Sequence, residues 1–249
     1  MVFKTNRQYK TPKHFSWITS PGIGLVGFAL IVSPWPNHAL AKNLVPITTS
    51  EGMVLLQRSK SVSDYASLME AFLTQANLAY CGVASAVMVL NSLSVPAPPV
   101  DGFRDYRFWT QDNIFAFEPS KAVISPAKVR RQGMTLQEVQ TLLSHHGVSA
   151  RRIHGDILGL SEFRSLMRNN LDDSSDRLIV NYDRRVLGQK GGGHFSPLAA
   201  YDTITDKVLI LDVARYRYPA IWVKTLDLWK AIKTLDSVSG LHRGLLVIN

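Results

Sequence analysis

The chain has 249 residues, of which 46% are hydrophobic and 19% are charged, an ordinary composition for a globular protein that excludes the disordered and repeat classes. The formal net charge is +9 at pH 7. No basic run is interleaved with aromatic residues as in nucleic-acid-binding proteins, so we expect no nucleic-acid partner.

Residues 1–41 have the three-part layout of a secretory signal peptide. Basic residues precede the largely apolar stretch ITSPGIGLVGFALIVS, and small residues up to Ala41 follow it. We predict cleavage after Ala41 and export to the periplasm, because Pro34 and Pro36 break a helix just before the small-residue site. The alternative is an uncleaved membrane anchor facing the periplasm, since the apolar stretch is near the short limit for crossing a bilayer. Residues 42–249 form the predicted mature domain.

Cys81 is the only cysteine of the chain. An exported protein usually pairs its cysteines, so Cys81 is either a buried inert residue, one half of an intermolecular disulfide, or a reactive thiol. The segment AYCGVASAVMVLNSL predicts a helix with Cys81 in its first turn and with Val83, Val87 and Leu90 facing inward. The partial positive charge at a helix N-terminus lowers the pKa of a thiol, which favours the reactive interpretation.

Helices are predicted in the first half of the chain and strands in the second. SVSDYASLMEAFLTQ has helical spacing, Thr135 forms a capping box with Glu138 for a helix ending at Gly147, and Ser161 is predicted to cap EFRSLMRNNL. From Arg177 onward, RLIVNYD, HFSPLAAYD, KVLILDVARY, AIWV and GLLVI read as five strands, with the helix TLDLWKAIKTL before the last. This order predicts an α+β domain with an antiparallel sheet.

His194 is the histidine that the sequence best places beside the thiol of Cys81. It ends the segment GQKGGGH, whose four glycines let the backbone deliver the ring to the edge of the predicted sheet. If residues 203–205 form a three-residue hairpin loop, Asp212 faces Ser196 and His194 lies two residues further along the same face. Such diagonal neighbours are about 7–8 Å apart at the backbone, within reach of a hydrogen bond between carboxylate and imidazole.

Cys81, His194 and Asp212 therefore form a candidate catalytic triad of nucleophile, general base and acid, and orienting carboxylate. Gln75, six residues before the cysteine, is placed to bring its amide beside the Cys81 backbone N–H as a second donor to an oxyanion. The alternative is a core cysteine, a loop histidine, an aspartate at a strand end and a surface glutamine.

Three segments, AYCGVASAVMVLNSL, NYDRRVLGQKGGGHFSPLAAYD and VLILDVARYRYPAIWV, resemble the catalytic domain of phytochelatin synthase, a γ-glutamylcysteine dipeptidyltranspeptidase. The resemblance is to the short bacterial or cyanobacterial members, which lack a cysteine-rich C-terminal domain. It implies a papain-like cysteine protease fold, in which an N-terminal helical half, with the nucleophile at a helix N-terminus, packs on a C-terminal antiparallel sheet. The catalytic residues of the family fall on Cys81, His194 and Asp212, and its oxyanion glutamine falls on Gln75. Residues 76–79 lack the proline that more usually precedes the nucleophile.

The same resemblance implies that glutathione is the substrate. Cys81 would attack its Cys–Gly amide, glycine would leave, and the γ-Glu-Cys thioester would pass to a second glutathione or to water, with hydrolysis favoured in short members. Arg184, Asp236 and Arg243 look like ligands for the charged ends of the γ-glutamyl group, since a guanidinium binds a carboxylate and a carboxylate binds an ammonium. The alternative is that these three are surface charges at strand ends. A homodimer is compatible with the sequence.

We expect no cofactor in the acylation step. The resemblance implies heavy-metal ions such as cadmium and zinc as activators or as metal–glutathione thiolate complexes. A protein metal site of His145, His146 and His154 is disfavoured, because adjacent histidines on a helix point about 100° apart and no cysteine joins them. Two other functions stay open at this point, a papain-like peptidase on ordinary peptides and a non-catalytic envelope module that captures glutathione or a metal–thiolate complex through Cys81.

Overall fold

The computed structural model describes residues 40–41, 43–116 and 125–249. The predicted signal peptide of residues 1–41 lies almost entirely outside the described residues, so its cleavage or anchoring stays a prediction. In the part of the chain that the structure describes, no helix has both the length and the apolar character needed to cross a bilayer.

The described residues form seven α-helices and seven strands. The helices are α1 (Ser50–Arg58), α2 (Tyr65–Glu70), α3 (Cys81–Ser92), α4 (Pro126–Gln132), α5 (Leu136–His145), α6 (Leu160–Leu171) and α7 (Thr225–Ile232). The strands are β1 (Val45–Pro46), β2 (Ala150–His154), β3 (Arg177–Asp183), β4 (Gly193–Asp202), β5 (Lys207–Ile210), β6 (Ile221–Lys224) and β7 (Gly244–Ile248). Short 3-10 helices occupy Asn113–Phe115, Gly155–Ile157 and Arg184–Leu187. The predicted α+β class is confirmed.

All seven strands join one antiparallel sheet in the order β1-β6-β5-β4-β3-β7-β2. The five predicted strands form its centre, whereas the two edge strands β1 and β2 were not predicted from the sequence. One apolar core lies between the sheet and α3, and a second lies between the opposite face and helices α6 and α7. Because α3 is enclosed on every side, all residues from Gly82 to Leu90 are buried, and the predicted inward stripe of Val83, Val87 and Leu90 is too narrow.

The capping prediction is confirmed for α5 and wrong for α6. The Thr135 side chain accepts from the backbone N–H of Glu138, and the Glu138 carboxylate accepts from the backbone N–H of Thr135. Helix α6 begins at Leu160, so Ser161 lies inside its first turn and Gly159 is the N-cap residue. There the backbone N–H of Gly159 donates to the carboxylate of Glu162 at 2.9 Å.

The predicted register of the β4–β5 hairpin is wrong at its loop and correct further along. Asp202 pairs with Lys207, so the loop has four residues and not three. A β-bulge immediately after Leu198 adds one residue to β4, and Leu198 then faces Ile210, which is the pairing that a three-residue loop would have produced. β5 ends at Ile210, earlier than predicted, and the chain continues alongside β4 to Asp212.

Candidate active site

Cys81 is the first residue of α3, at the end of the helix where backbone N–H groups have no partner within the helix. Its thiol is half-buried. Helix α3 packs on β4, and the second residue of β4 is His194. The contact between helix and strand therefore brings together two residues that are more than a hundred positions apart in the sequence.

The ring of His194 lies between the thiol and a buried carboxylate. Its Nε2 lies 3.0 Å from Oδ1 of Asp212, and the ring lies close enough to Cys81 to lower the pKa of the thiol by its charge and by hydrogen bonding. Since Nε2 faces Asp212, Nδ1 is the ring nitrogen left for the thiol. Tyr182, the β3 residue opposite His194, packs its ring edge-on against the imidazole at 5.7 Å and fixes its plane. The structure thus brings the three predicted triad residues into one contact chain.

Asp212 is completely buried and held by several donors. Besides His194, the backbone N–H of Ala214 donates to Oδ1 at 2.9 Å, and Nη2 of Arg184 donates to the same oxygen at 2.8 Å. Burial alone would raise the pKa of Asp212, but the charges and hydrogen bonds of His194 and Arg184 hold the pKa well below its usual range. Asp212 is therefore a carboxylate at neutral pH.

The pKa values of thiol and imidazole favour an ion pair. Burial raises the pKa of Cys81, but the positive charge and hydrogen bond of His194 outweigh it, with help from the Phe195 backbone and the Arg184 charge. The net result is a Cys81 pKa below its ordinary value. Burial and, to a smaller extent, the charge of Arg184 lower the pKa of His194. Asp212 and the thiolate raise it by more, so the net pKa lies above its ordinary value. A thiolate facing an imidazolium is a strong nucleophile beside a proton donor.

Arg184 is only 3% exposed, and its guanidinium points at Asp212. Its Nη1 also donates to Oε1 of Gln189 at 3.0 Å, and the guanidinium stacks on Tyr218, 5.0 Å from the ring centre. The sequence assigned Arg184 to the substrate and gave no sign of its contact with Asp212. Its predicted role in binding a substrate carboxylate stays a prediction.

Gln75 lies in the segment between α2 and α3 and is 5% exposed. Its Nε2 donates to the carbonyl oxygen of Asn77 at 2.6 Å and to the hydroxyl of Tyr216 at 3.2 Å. Gln75 lines a pocket of about 140 Å³ together with Cys81 and His194. The structure therefore places the predicted oxyanion residue beside the nucleophile, and it adds Tyr216, which the sequence did not single out.

Asp236 and Arg243 line a second cleft, of about 540 Å³, which also reaches Cys81. Nη2 of Arg243 lies 3.7 Å from Oδ1 of Asp236, and Nη1 donates to Oδ1 of Asn181 at 2.9 Å. Gly193 lies against this guanidinium so closely that a Cβ atom there would be 2.1 Å from Nη1 of Arg243. Opposite charges thus meet within the cleft, as binding of an amino acid's ammonium and carboxylate requires.

A family model described as phytochelatin synthase matches residues 35–245. The chain belongs to the phytochelatin synthase family.

Among its relatives are glutathione gamma-glutamylcysteinyltransferase 3 of Lotus japonicus, 34% identical over 190 residues, and glutathione gamma-glutamylcysteinyltransferase 1 of Triticum aestivum, 33% identical over 190 residues. Each match covers 76% of this chain, but only 38% and 36% of the relative. The chain therefore spans less than half the length of these relatives. A solved double glycine motif protease from an AMS/PCAT transporter, in complex with its leader peptide, aligns with 71% of this chain and 87% of that chain at 12% identity and a TM-score of 0.42.

The described residues do not gather metal ligands at this site. Within residues 40–41, 43–116 and 125–249, no group of three or more His, Cys, Asp or Glu side chains is placed to bind a metal ion. His146 stacks on Trp109 and bonds the carbonyl oxygen of Ile114, whereas His154 bonds the carbonyl oxygen of His242. These histidine contacts are with backbone and aromatic groups.

Proposed function

We propose that the protein is a glutathione γ-glutamylcysteinyltransferase that also hydrolyses glutathione. The observation that carries this proposal is the contact chain from Cys81 through His194 to Asp212, at the mouth of a cleft that holds a carboxylate and a guanidinium. The relatives share the name of this activity.

The proposed architecture is papain-like. Its support is that the nucleophile begins a helix, that this helix packs on an antiparallel sheet, and that the sheet carries the histidine. In this arrangement the helix presents the thiol and the sheet presents the base, so that packing of the two halves creates the site.

In the proposed acylation step, the Cys81 thiolate attacks the carbonyl carbon of the Cys–Gly amide. The His194 imidazolium donates its proton to the departing glycine nitrogen, and the C–N bond breaks to leave a γ-Glu-Cys thioester on Cys81. Asp212 fixes the orientation of the ring and stabilises its positive charge. The Cys81 backbone N–H and Nε2 of Gln75 are the proposed donors to the oxyanion, with Nε2 exchanging its hydrogen bond to the Tyr216 hydroxyl for one to the oxyanion.

The γ-glutamyl group is proposed to bind in the cleft beside Gly193. Asp236 binds its ammonium, and Arg243 binds its α-carboxylate with the geometry that guanidinium and carboxylate share. Arg184 lines the smaller pocket together with Cys81, and its proposed contact with a substrate carboxylate is in this pocket.

The thioester is proposed to pass either to the amine of a second glutathione, which lengthens a γ-Glu-Cys chain, or to water. We propose no cofactor for acylation, since thiolate, imidazolium and oxyanion donors suffice for it. Cadmium or zinc would act as activators or arrive as glutathione thiolate complexes, because thiolates bind soft metal ions.

Incubation of the purified protein with glutathione tests the proposal. We expect glycine release and an acyl adduct on Cys81, and loss of both in C81S. Glycine release by C81S at the wild-type rate would disprove the assignment of the nucleophile. Cleavage of ordinary peptides but not of glutathione would favour a peptidase, and binding of glutathione without release would favour a capture module. Addition of cadmium or zinc, followed by a search for (γ-Glu-Cys)2-Gly, separates transfer from hydrolysis.

Export to the periplasm is also proposed, on the basis of the sequence of residues 1–41. Mass spectrometry of the protein from cell fractions tests it: a periplasmic chain beginning at residue 42 supports cleavage, and an intact membrane-bound chain supports the anchor. Light scattering in the same preparations tests the proposed homodimer.

A further inference from the structure

The side-chain amide of Gln111 bridges the peptide groups on either side of Gln75. Its Nε2 donates to the carbonyl oxygen of Thr74 at 2.9 Å, and its Oε1 accepts from the backbone N–H of Ala76 at 2.8 Å. A carboxamide has donors and an acceptor in one plane, so it pairs with both groups at once. We propose that Gln111 is a positioning residue for Gln75, an inference that rests on the proposed role of Gln75 as an oxyanion donor.

Gln75 needs such support because it lies in a segment without regular secondary structure. The backbone N–H of Gln75 donates to the carbonyl oxygen of Val213 at 2.9 Å, which ties one point of the segment to the chain beside Asp212. Leu78, three residues further along, is 78% exposed. Gln111 holds the peptide groups before and after Gln75, and thereby restricts the rotations that aim its side chain.

Gln111 is in turn fixed relative to α3. Asn91, near the end of that helix, donates its Nδ2 to the carbonyl oxygen of Trp109 at 2.9 Å and accepts from the Trp109 backbone N–H at 2.8 Å. Trp109 is 7% exposed and Asn91 is half-buried, so this anchor is partly buried. Since Cys81 begins the same helix, α3 sets the position of both oxyanion donors: the Cys81 N–H directly, and Gln75 through Asn91 and Gln111.

The size of the expected effect follows from the chemistry of the oxyanion. Loss of one oxyanion donor typically lowers kcat by about 10²–10³-fold. Loss of the Gln111 contacts leaves Gln75 present but poorly aimed, so we expect Q111A to lower kcat about tenfold to hundredfold. KM for glutathione should change little, because the affected hydrogen bond forms with the transition state and not with the bound substrate.

A double-mutant cycle on the full chain tests the proposal, with glycine release measured for wild type, Q111A, Q75A and Q75A/Q111A. If Gln111 acts through Gln75, its removal has no further effect once Gln75 is absent, and the double variant equals Q75A. Q57A, at an exposed glutamine of α1, is the matched control and should behave as wild type. Alkylation of Cys81 should proceed at the wild-type rate in Q111A, since Gln111 does not contact the thiol.

Three results would overturn the proposal: a kcat of Q111A within twofold of wild type, a multiplicative loss in the double variant, or slowed alkylation of Cys81 in Q111A. Hydrogen exchange of the Ala76 amide gives a readout that needs no activity. Faster exchange in Q111A than in Q57A supports the contact, and equal exchange rejects it. If the wild-type protein releases no glycine, the proposed function fails, and the exchange measurement alone then decides whether Gln111 holds this segment.

Discussion

Arg184 holds Asp212 through both of its terminal nitrogens: Nη2 lies 2.8 Å from Oδ1, and Nη1 lies 2.7 Å from Oδ2. The same Oδ1 faces Nε2 of His194 at 3.0 Å. Arg184 therefore fixes the carboxylate that orients the imidazole, and its positive charge also lies close enough to shift the pKa of both Cys81 and His194.

Replacement of Arg184 by Met should move both limbs of the pH–rate profile of glycine release to higher pH. Activity needs an ionised Cys81 and a protonated His194, so the acid limb follows the pKa of the thiol and the alkaline limb follows the pKa of the imidazole. The Arg184 charge lowers both pKa values, and its removal raises both. R185M is the control, because Arg185 is exposed and pairs with Asp183. Identical profiles for R184M and wild type would contradict this prediction.

Much of this architecture follows from local sequence patterns. The spacing of AYCGVASAVMVLNSL and the strand-like runs after Arg177 predict the helix that presents Cys81 and the central strands that carry His194. Strands β1 and β2 were missed because the first has two residues and the second has the pattern ARRIH, whose charges suit an edge strand but do not alternate clearly.

Features that depend on tertiary contacts could not be predicted from local sequence patterns. A β-bulge after Leu198 compensates for the longer hairpin loop, and a bulge leaves no reliable mark in an apolar strand sequence. Whether Arg184 pairs with Asp212 or with the carboxylate of a ligand depends on which carboxylate lies within reach after folding. No local sequence pattern distinguishes Gln111 from other loop glutamines, because its contacts beside Gln75 form only when the chain folds.

Replacement of Gly193 by Ala should weaken glutathione binding. The new Cβ would lie 2.1 Å from Nη1 and 2.6 Å from Cζ of Arg243, so the guanidinium must leave its place beside Asp236. A hydrogen bond to a charged group contributes about 1.5–3 kcal/mol, so we expect KM for glutathione to rise about tenfold or more. G192A is the matched control, since a Cβ at Gly192 meets no atom within 4 Å. Equal KM values for the two variants would show that Arg243 does not bind the substrate.

Alkylation of Cys81 by iodoacetamide should report the ion pair directly, because the chain has no other thiol. In wild type the rate should reach half its maximum below the ordinary thiol pKa, because His194 lowers the pKa of Cys81. In H194Q the lowering by the imidazolium is lost while burial remains, so the half-maximum should move to a higher pH than in wild type. H145Q is the control. A half-maximum unchanged in H194Q would mean that His194 does not ionise the thiol.

Arg177 should contribute more to stability than any exposed arginine, since it is buried and joins α2, α3 and β3. Its guanidinium donates to Asp64 at 2.9 Å, to the Ser67 hydroxyl at 2.8 Å, and to the hydroxyl and carbonyl oxygens of Ser92 at 3.0 Å. R177M leaves these buried oxygens without their donor, and each unsatisfied buried polar group costs about 1–3 kcal/mol, so urea unfolding of R177M should show a loss of about 3 kcal/mol or more. R168M, at a more exposed position of α6, should change the free energy of unfolding by less than about 0.5 kcal/mol.

Asp64 should make the stability of the protein fall as the pH rises toward 8. Burial raises the pKa of its carboxyl to about 8, although Arg177 opposes this shift, so the folded protein retains a proton that the unfolded chain loses near pH 4. The contribution of Asp64 to the free energy of unfolding is fully present below the pKa that its carboxyl has in the unfolded chain. This contribution is lost as the pH rises through the pKa that the carboxyl has in the folded protein. D64N has no such group, and its free energy of unfolding should vary less between pH 4 and 8. Parallel stability curves for D64N and wild type over this range would show that Asp64 is ionised throughout and paired with Arg177 as a carboxylate.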